Sequence, residues 1–316
     1  MANQPDIVVF GSCMVDLTCY CPRLPLPGET IHGTDFRLGN GGKGANQCVA
    51  ATKLGGSTAL IARLGNDSFG QKYKAHLTSM GINTQHVTLT DDITCGMAQI
   101  TVSENGENAI VIVAGANKKL SLDDAKRAEN FLMKSKVVLF QFETPVESTI
   151  QTLEFISSKG GPLTIVNGAP ALENVNHRLF ELCDVFCVNE TEASLMTGLP
   201  VTSIKESYAA LEKLQSFGCK TLIITLGGDG AVFSENGSNP KHICAPCVTP
   251  VDTVGAGDVF IGALAYLTAT LPNTTLSTRI SRACSIASVS VMSKGTQSSF
   301  PFRKDLPSEL FVDDDS

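Results

Sequence analysis

The segment Asp252–Asp258 (DTVGAGD) places a carboxylate and a run of small residues at the start of an apolar helix. Small residues at a helix N-terminus leave backbone N–H groups open, and the helix dipole adds partial positive charge there. Such a position holds a phosphate or a developing anion. Asp258 would repel an anion that is merely bound, but it suits proton removal from a hydroxyl while the amides stabilise a transferring phosphoryl group. Taken alone, the segment is more typical of a glycine-rich loop before an ordinary N-terminal Asp.

A second glycine cluster, Gly39–Gln47 (GNGGKGANQ), formally matches the dinucleotide fingerprint GxGxxG. That fingerprint belongs directly after the first strand and needs an acid about 20 residues further on. Here the cluster lies well past the first predicted strand, and no acid occurs between Lys43 and Asp67. A phosphate-binding P-loop is also excluded, because Lys43 is followed by Gly44 rather than Ser or Thr.

What remains is a glycine turn that lets a ligand approach the backbone, followed by the hydrogen-bonding side chains of Lys43 and Asn46. This combination suits a ligand with several hydroxyl groups. Asp16, just past the first strand, could bind hydroxyls from the same crevice at the strand ends. Taken alone, Asp16 is more typical of a turn residue.

Further polar residues follow predicted strands. Glu143 comes after one strand, while Asn189 and Glu192 come after another and open a helix. The pair is compatible with a simple Asn cap and a helical Glu, or with side chains that orient Mg²⁺ against nucleotide phosphates. Thr225–Gly230 (TLGGDG) is a glycine turn after a strand and is open enough to admit a nucleotide.

Alternating strand and helix patterns position these residues. The predicted strands of this series are Asp6–Gly11, Ser57–Leu64, Val137–Phe140, Leu163–Val166, Val185–Val188 and Thr221–Leu226. The predicted helices are Lys43–Leu54, Ser68–Met80, one from a capping box at Ser121 and Asp124 towards Lys134, one from Val146, Ile204–Phe217 and Val259–Leu271. The alternation predicts an α/β fold, with a doubly wound, mostly parallel sheet flanked by helices.

Two regions interrupt this alternation. Thr30–Leu38 and Gly96–Val113 are predicted strands without intervening helices, and the second contains a hairpin signal at Val102–Glu107 (VSENGE). We expect a single domain over residues 1–316, with a small β-sheet lid built from about 15–40 and 94–114. A lid would exclude water from a reaction, but an edge extension or a dimer contact fits the same pattern.

Composition excludes several classes of protein. The chain has 316 residues, 43% hydrophobic and 17% charged, which is typical of a compact soluble protein. Its net charge of −7 and the lack of a basic run argue against nucleic acid and against an anionic membrane. The eleven cysteines are scattered and odd in number, with one CxxC at Cys244–Cys247, so they suit buried thiols in a reducing compartment. The first residues lack the pattern of a secretion signal, which predicts a cytoplasmic protein and is compatible with a nuclear pool.

The chain resembles the ribokinase family of carbohydrate kinases from about Ile7 to Phe300. The resemblance rests on seven segments in order: GSCMVD, PGETIHG, GGKGANQ, NETEA, TLGGDG, DTVGAGD and KGTQSSFP. It implies a large α/β domain with a β lid, often dimeric through the lids. It also implies transfer of the γ-phosphoryl group of ATP to the 5-hydroxyl of D-ribose, with Mg²⁺ and activation by K⁺.

The resemblance assigns roles to individual residues. Asp258 is the base, and Gly255, Ala256 and Gly257 form the anion hole. The residues expected at the sugar, besides Asp258, are Met14, Asp16, Gly42, Lys43, Gly44, Asn46 and Glu143. Those expected at the nucleotide are Asn189, Glu192 (which also helps to place Mg²⁺), Thr225, Gly227, Gly228, Asp229, Gly230, Gly257 and Cys284. The expected K⁺ cage consists of Asp252, Val254, Ser290, Ser293, Gly295 and Ser299.

Two positions depart from the family pattern. Met14 stands where bacterial members usually carry Asn, and Cys284 stands where many carry an Asn near the adenine. Neither change touches the chemistry, so we expect an active enzyme. The alternatives are a related kinase for another sugar or a nucleoside, and a non-catalytic sugar-sensing homologue. Retention of Asp258 argues against the sensor, because a protein that only binds needs no base.

Overall fold

The computed structural model describes residues 4–313, so the first three residues of the N-terminal segment lie outside it. The strands, in chain order, are β1 (Ile7–Phe10), β2 (Met14–Cys21), β3 (Asp35–Gly41), β4 (Thr58–Gly65), β5 (Val87–Thr90), β6 (Gly96–Ser103), β7 (Asn108–Val113), β8 (Val137–Phe140), β9 (Leu163–Asn167), β10 (Val185–Asn189), β11 (Thr221–Thr225), β12 (Ala231–Glu235) and β13 (Lys241–Ile243). The α-helices are α1 (Lys43–Lys53), α2 (Ser68–Ser79), α3 (Leu122–Arg127), α4 (Glu129–Lys134), α5 (Val146–Ser158), α6 (Arg178–Leu182), α7 (Glu190–Thr197), α8 (Ile204–Gln215), α9 (Ala256–Thr270) and α10 (Leu276–Ser290).

The larger sheet has nine strands in the order β13-β12-β11-β10-β9-β8-β1-β4-β5. Seven of them, from β11 to β5 in this order, run parallel, while β12 pairs antiparallel with both of its neighbours. This confirms the predicted doubly wound sheet. The chain leaves β1 towards β4 and later returns to β8 on the other side, so the strand order reverses beside β1. In open α/β sheets, ligands bind in the crevice at such a reversal, beyond the carboxyl ends of the strands.

Apolar residues of the central strands point alternately to the two faces of this sheet, and helices bury both faces. In β1, Ile7 and Val9 belong to a core built with α1, α2, α9 and α10. Val8 and Phe10 belong to a second core, which includes residues of α3, α4, α5, α6 and α8. Burial on both faces explains why these strands have nearly continuous apolar sequences.

One predicted helix is divided in the structure. The segment from Ser121 to Lys134 forms α3 and α4, separated at Ala128, whose φ of −97° and ψ of 12° lie outside the helical region. The predicted capping box is confirmed, because the Asp124 side chain accepts from the Ser121 N–H at 3.0 Å. The prediction of helical structure from Ser121 to Lys134 was therefore correct, but the segment forms two helices rather than one.

The smaller sheet has the strand order β3-β2-β6-β7. The predicted strand Thr30–Leu38 is wrong in its first half, since β3 begins at Asp35 and continues to Gly41. Strand β2 was not predicted, and Asp16 lies within it rather than in a turn. The register explains the late start of β3: β2 ends at Cys21 and Tyr20 pairs with Asp35, so residues 30–33 have almost no strand opposite them.

The hairpin signal is confirmed by the antiparallel pair β6 and β7, whose turn contains Gly106 at φ +87°. All six residues of β7 are exposed. The eleven cysteines are free thiols, and only Cys244 and Cys247 are exposed. Within residues 4–313, no helix is long and apolar enough to cross a membrane.

Candidate active site

Asp258 lies in the first turn of α9 and is only 7% exposed. Two amide side chains of α1 donate to its carboxylate: Asn46 Nδ2 to Oδ2 at 2.9 Å, and Gln47 Nε2 to Oδ1 at 3.1 Å. Neither donor is a cation, so the carboxylate is oriented without being neutralised by an ion pair at these contacts. Asp258 is therefore held in one orientation at the N-terminus of a long helix.

The backbone before Asp258 is open to a ligand. Gly255 caps α9 at φ +82°, a left-handed conformation that favours glycine. Ala256 N–H donates to the Thr253 carbonyl at 3.2 Å, whereas the N–H groups of Gly255 and Gly257 have no hydrogen-bond partner in the described part of the chain. A Cβ placed on Gly257 would meet no atom within 4 Å. These free amides and this empty space are what an anion hole requires.

Glu143 follows β8 and links the residues after β1 to the start of α1 by hydrogen bonds. Its Oε2 accepts from Ser12 Oγ at 2.5 Å and from the Lys43 N–H at 2.8 Å. Gly42, the residue before α1, has φ +89°, and a Cβ there would lie 2.6 Å from the Met14 N atom. The glycine turn thus packs the start of α1 directly against β2, where the smaller sheet meets the larger one.

The carboxylate of Asp16 lies beside Gly41, the residue that precedes this turn. Burial, together with the charge of Glu143, raises the pKa of Asp16 to about 6. Met14 pairs with Gly41 in the register of β2 and β3, and its side chain is buried. Gly44 packs against the end of β1, where a Cβ would lie 2.8 Å from the Gly11 Cα. The predicted sugar residues other than Asp258 therefore lie around one junction of β1, β2, α1 and the residues that follow β8, and Asn46 of α1 links this junction to Asp258.

Lys43 lies among several acids. Burial opposes its charge, but the carboxylates of Asp258, Glu143 and Glu192 outweigh this effect and hold the pKa of Lys43 above its usual value. The side chain lines a cavity of about 160 Å³ together with Asn189, Glu192, Gly257 and Asp258. Lys43 therefore supplies positive charge both in the cavity beside Asp258 and next to the predicted sugar residues.

A larger cavity of about 450 Å³ lies beyond this one. The predicted nucleotide residues on its wall are Asn189, Thr225, Gly227, Gly228, Gly230, Gly257 and Cys284. Asp229 is absent from the wall, and its carbonyl instead accepts from the His242 ring at 2.6 Å. Burial raises the pKa of Cys284 to about 12, which keeps this thiol neutral.

Asn189 and Glu192 form a reciprocal capping box at the start of α7. Asn189 Oδ1 accepts from the Glu192 N–H, and Glu192 Oε2 accepts from the Asn189 N–H, both at 2.8 Å. The simple cap is therefore correct as a structural description. Both residues also line the smaller cavity, and burial raises the pKa of Glu192 above its usual value. Within the described residues, only one of the two carboxylate oxygens of Glu192 has a partner, so the other is free to bind Mg²⁺ or its water.

The two cavities share four residues, namely Asn189, Thr225, Gly257 and Phe260. The larger cavity has walls that sequence reasoning missed: Ala245, Pro246, Cys247, Val248, Phe260, Ala287 and Val291. Their apolar surfaces suit a flat base, while the glycine turn after β11 suits sugar and phosphate groups. A nucleotide in the larger cavity would therefore direct its phosphates towards Gly257 and Asp258.

The residues predicted to surround K⁺ lie on two adjoining segments. Asp252 connects them, because Oδ1 accepts from the Val254 N–H at 3.0 Å and Oδ2 from the Gly295 N–H at 2.9 Å. Ser290 and Ser299 are buried, whereas Val254 and Ser293 are exposed. No cluster of His, Cys, Asp or Glu in residues 4–313 could hold a metal by itself. A donor set of carbonyl, hydroxyl and carboxylate oxygens fits a hard monovalent cation rather than a transition metal.

Sequence reasoning missed a buried amide network around Asp258. Gln47 Nε2 also donates to Asn167 Oδ1 at 3.0 Å, and Gln141 Nε2 donates to Gln47 Oε1 at 2.7 Å. Gln297 Nε2 donates to Asn46 Oδ1 at 3.0 Å. Gln47 and Gln297 belong to the segments GGKGANQ and KGTQSSFP, but a buried glutamine has no sequence pattern that separates it from an exposed one.

A base at a helix N-terminus, free amides before it and an adjoining nucleotide-sized cavity define a small-molecule kinase with an α/β fold. The family model for pfkB carbohydrate kinases matches residues 4–303, and the chain belongs to this family. The chain is 44% identical to ribokinase from Mus musculus, covering 96% of this chain and 94% of that protein. It is 38% identical to deoxyribokinase from Salmonella typhi, covering 94% and 95% respectively. The structure of Arabidopsis thaliana ribokinase complexed with ribose and ATP superimposes with a TM-score of 0.88 at 31% identity, covering 98% and 99% of the two chains.

Proposed function

We propose that this protein is an ATP-dependent ribokinase, which transfers the γ-phosphoryl group of ATP to the 5-hydroxyl of D-ribose. The observation that carries the proposal is the continuity between the two cavities, which leads from the glycine turn after β11 to the Asp258 carboxylate. The similarity to the mouse ribokinase and to the Arabidopsis ribokinase complexed with ribose and ATP supports ribose as the acceptor.

Positioning and neutralisation of charge account for most of the catalysis in phosphoryl transfer. Asp258, held by Asn46 and Gln47, orients the acceptor hydroxyl and takes its proton as the bond to phosphorus forms. The free amides of Gly255 and Gly257 stabilise the charge on the phosphoryl oxygens. Lys43 adds a full positive charge at the same junction.

Two ions complete the proposal. Glu192 would help to hold Mg²⁺, which when bound would neutralise charge on the ATP phosphates. The oxygens of the segments around Asp252 and Gly295 would hold K⁺, which when bound would add a positive charge beside the start of α9. For the small sheet we propose a role as a lid over the sugar and as the contact of a homodimer. A cytoplasmic location remains part of the proposal.

A panel of acceptors tests the function directly. Purified protein is incubated with Mg-ATP and D-ribose, 2-deoxy-D-ribose, D-fructose or a nucleoside, with K⁺ or with Na⁺, and ADP formation is followed. We expect D-ribose to have the highest kcat/KM and K⁺ to raise the rate. Turnover of a nucleoside or fructose alone would contradict the assignment of the acceptor, and binding of ribose without turnover would indicate a sensor.

2-Deoxy-D-ribose is a second candidate acceptor. Met14 is apolar where bacterial family members usually carry Asn, and the chain is 38% identical to a deoxyribokinase. A site that lacks a polar partner for one hydroxyl loses little when that hydroxyl is missing, since no buried polar group is left unpaired. The same panel decides between the two, through the ratio of kcat/KM for ribose to that for deoxyribose.

A further inference from the structure

The loop that holds two of the predicted cation ligands, Gly295 and Ser299, also contains a buried side chain with contacts in three directions. Gln297 is 8% exposed. Its Nε2 donates to Asn46 Oδ1 at 3.0 Å and to Tyr73 Oη at 2.9 Å, and its Oε1 contacts the His76 ring at 3.3 Å. Its backbone carbonyl accepts from Lys53 Nζ at 2.7 Å. Both the side chain and the backbone of this residue are therefore fixed.

A path of two hydrogen bonds leads from this loop to the base. Gln297 Nε2 holds the Asn46 carbonyl oxygen, and Asn46 Nδ2 then donates to Asp258 Oδ2. All three side chains are buried, so solvent does not compete for these bonds. The hydrogen bond donated by Gln297 Nε2 fixes which end of the Asn46 amide faces Asp258, because an amide carries its donors and its acceptor at opposite sides.

A second contact reinforces this link. Lys53 Nζ also donates to the Phe300 carbonyl at 2.9 Å, so the chain turns around its ammonium group between Gln297 and Phe300. A Cβ on Gly255, at the start of α9, would lie 2.9 Å from both Phe300 and Thr296. A change in this loop would therefore reach Asp258 through Asn46, and would reach the anion hole through Phe300.

We propose that Gln297 is a positioning residue that couples the cation loop to Asp258 through Asn46, so that bound K⁺ orients the base. The inference rests on the proposed function. It does not require Gln297 to touch the sugar, the nucleotide or the ion. It predicts that the ion still binds when Gln297 is replaced but raises turnover by a smaller factor, because only the charge of the ion and the contact through Phe300 then remain.

The variant Gln297→Met tests this, because methionine has a similar length and volume but no N–H donor. We expect kcat in K⁺ to fall about ten- to hundredfold, the cost of a slightly misplaced catalytic group, with the KM for ATP unchanged. K⁺ should raise kcat by a clearly smaller factor than in the wild type, yet it should still raise the melting temperature of the variant as it does for the wild type. Gln297→Leu, which is also apolar and lacks any donor, should behave in the same way and serves as a second variant if Gln297→Met does not fold.

Tyr73→Phe is the matched control. It removes the other partner of Gln297 Nε2 but leaves the bond to Asn46, so the response of kcat to K⁺ should persist. A Gln297→Met protein that keeps the full wild-type response would overturn the inference, as would one whose melting temperature no longer responds to K⁺, since Gln297 would then form the ion site itself. Wild-type protein that phosphorylates ribose without any response to K⁺ would overturn the coupling but not the kinase. Wild-type protein that phosphorylates no ribose would refute the proposed function before any variant is made.

Discussion

At the scale of single residues, the site depends on carboxylates whose partners differ. Asp258 receives only neutral amide donors, Glu143 receives a hydroxyl and a backbone N–H, and Asp16 lies partly buried near Glu143. A carboxylate with neutral donors remains available to take a proton from a nearby hydroxyl. Glu143 also has only neutral donors, so what marks Asp258 as the base is its place in the first turn of α9, beside the free amides of Gly255 and Gly257.

Asp258→Asn should therefore lower kcat by about a hundred- to ten-thousandfold, the usual contribution of a general base. Binding of ribose should survive, because the helix and the size of the side chain are kept, although the new NH₂ group can no longer accept one of the two hydrogen bonds from Asn46 and Gln47. The measurements are kcat by ADP release and ribose affinity by calorimetry. Asp123→Asn, at an exposed acid in the first turn of α3, is the control and should leave both unchanged. A near-normal kcat in Asp258→Asn would remove Asp258 from the role of base.

The raised pKa of Asp16 predicts that the affinity for ribose depends on pH. Because its folded pKa is raised to about 6, its carboxylate becomes protonated as the pH falls through that value and then accepts hydrogen bonds from hydroxyls less well. We expect ribose affinity, measured by calorimetry without ATP, to be about tenfold weaker at pH 5 than at pH 7.5. Asp16→Asn should bind ribose more weakly at pH 7.5 and show no such dependence. An equal loss of affinity on acidification in both proteins would assign the titration to another group.

At the scale of elements, two glycines lie at the start of α9, and a side chain is unfavourable at each for a different reason. Gly255 has positive φ, and a Cβ on it would lie 2.9 Å from both Phe300 and Thr296, so any side chain is strained there. Gly257 is helical, and a Cβ on it would meet nothing. Packing therefore requires the first glycine, whereas the second leaves space for a ligand.

The pair Gly255→Ala and Gly257→Ala separates these two reasons. Gly255→Ala should lower the free energy of unfolding by about 1–3 kcal/mol, the cost of a left-handed alanine and a close contact. Gly257→Ala should leave stability unchanged or raise it by up to about 1 kcal/mol, because alanine is the better helix former. It should nevertheless reduce kcat at least about tenfold, since the methyl group occupies the place of the phosphoryl group. Chemical denaturation and steady-state rates measure the two effects, and full activity of Gly257→Ala would place the phosphoryl group elsewhere.

At the scale of the whole molecule, local patterns predicted the central fold. Apolar runs and glycine turns located the strands from β8 to β11 and helices such as α1 and α9, because both signals lie within a few residues. Strand β2 was missed, since its partners β3 and β6 are distant and its own sequence, MVDLTCYC, alternates weakly.

Residues at the ends of strands could be predicted as site residues, because the carboxyl ends of parallel strands meet at one edge. The glutamines could not. Gln47 reaches Asp258 across 211 residues, and Gln297 reaches Asn46 across 251 residues, so only the folded chain shows these contacts. The position of Lys43, next to the sugar residues but on the wall of the nucleotide-side cavity, likewise depends on the packing of α1 against α9.

The small sheet leads to a prediction about assembly. Its edge strand β7 exposes apolar side chains on both faces: by register, Ile110 and Ile112 share the face of Asp16, while Val111 and Val113 share the opposite face with Phe36. Val111 is 65% exposed and Phe36 is 62% exposed. An edge strand with exposed apolar residues normally pairs with or is covered by another surface, so we expect it to be buried in a dimer.

Light scattering after size exclusion should give twice the chain mass of 33.4 kDa for the wild-type protein. The double variant Ile110→Lys with Val111→Lys charges both faces of β7 and should be a monomer, because burying an unpaired ammonium costs several kcal/mol. It should also have a raised KM for ribose if the partner holds the lid in place. Leu195→Lys with Val312→Lys adds the same charge at exposed apolar residues outside the small sheet, and this control should remain a dimer. A monomeric wild-type protein, or a double variant that still dimerises, would show that these exposed side chains serve another contact.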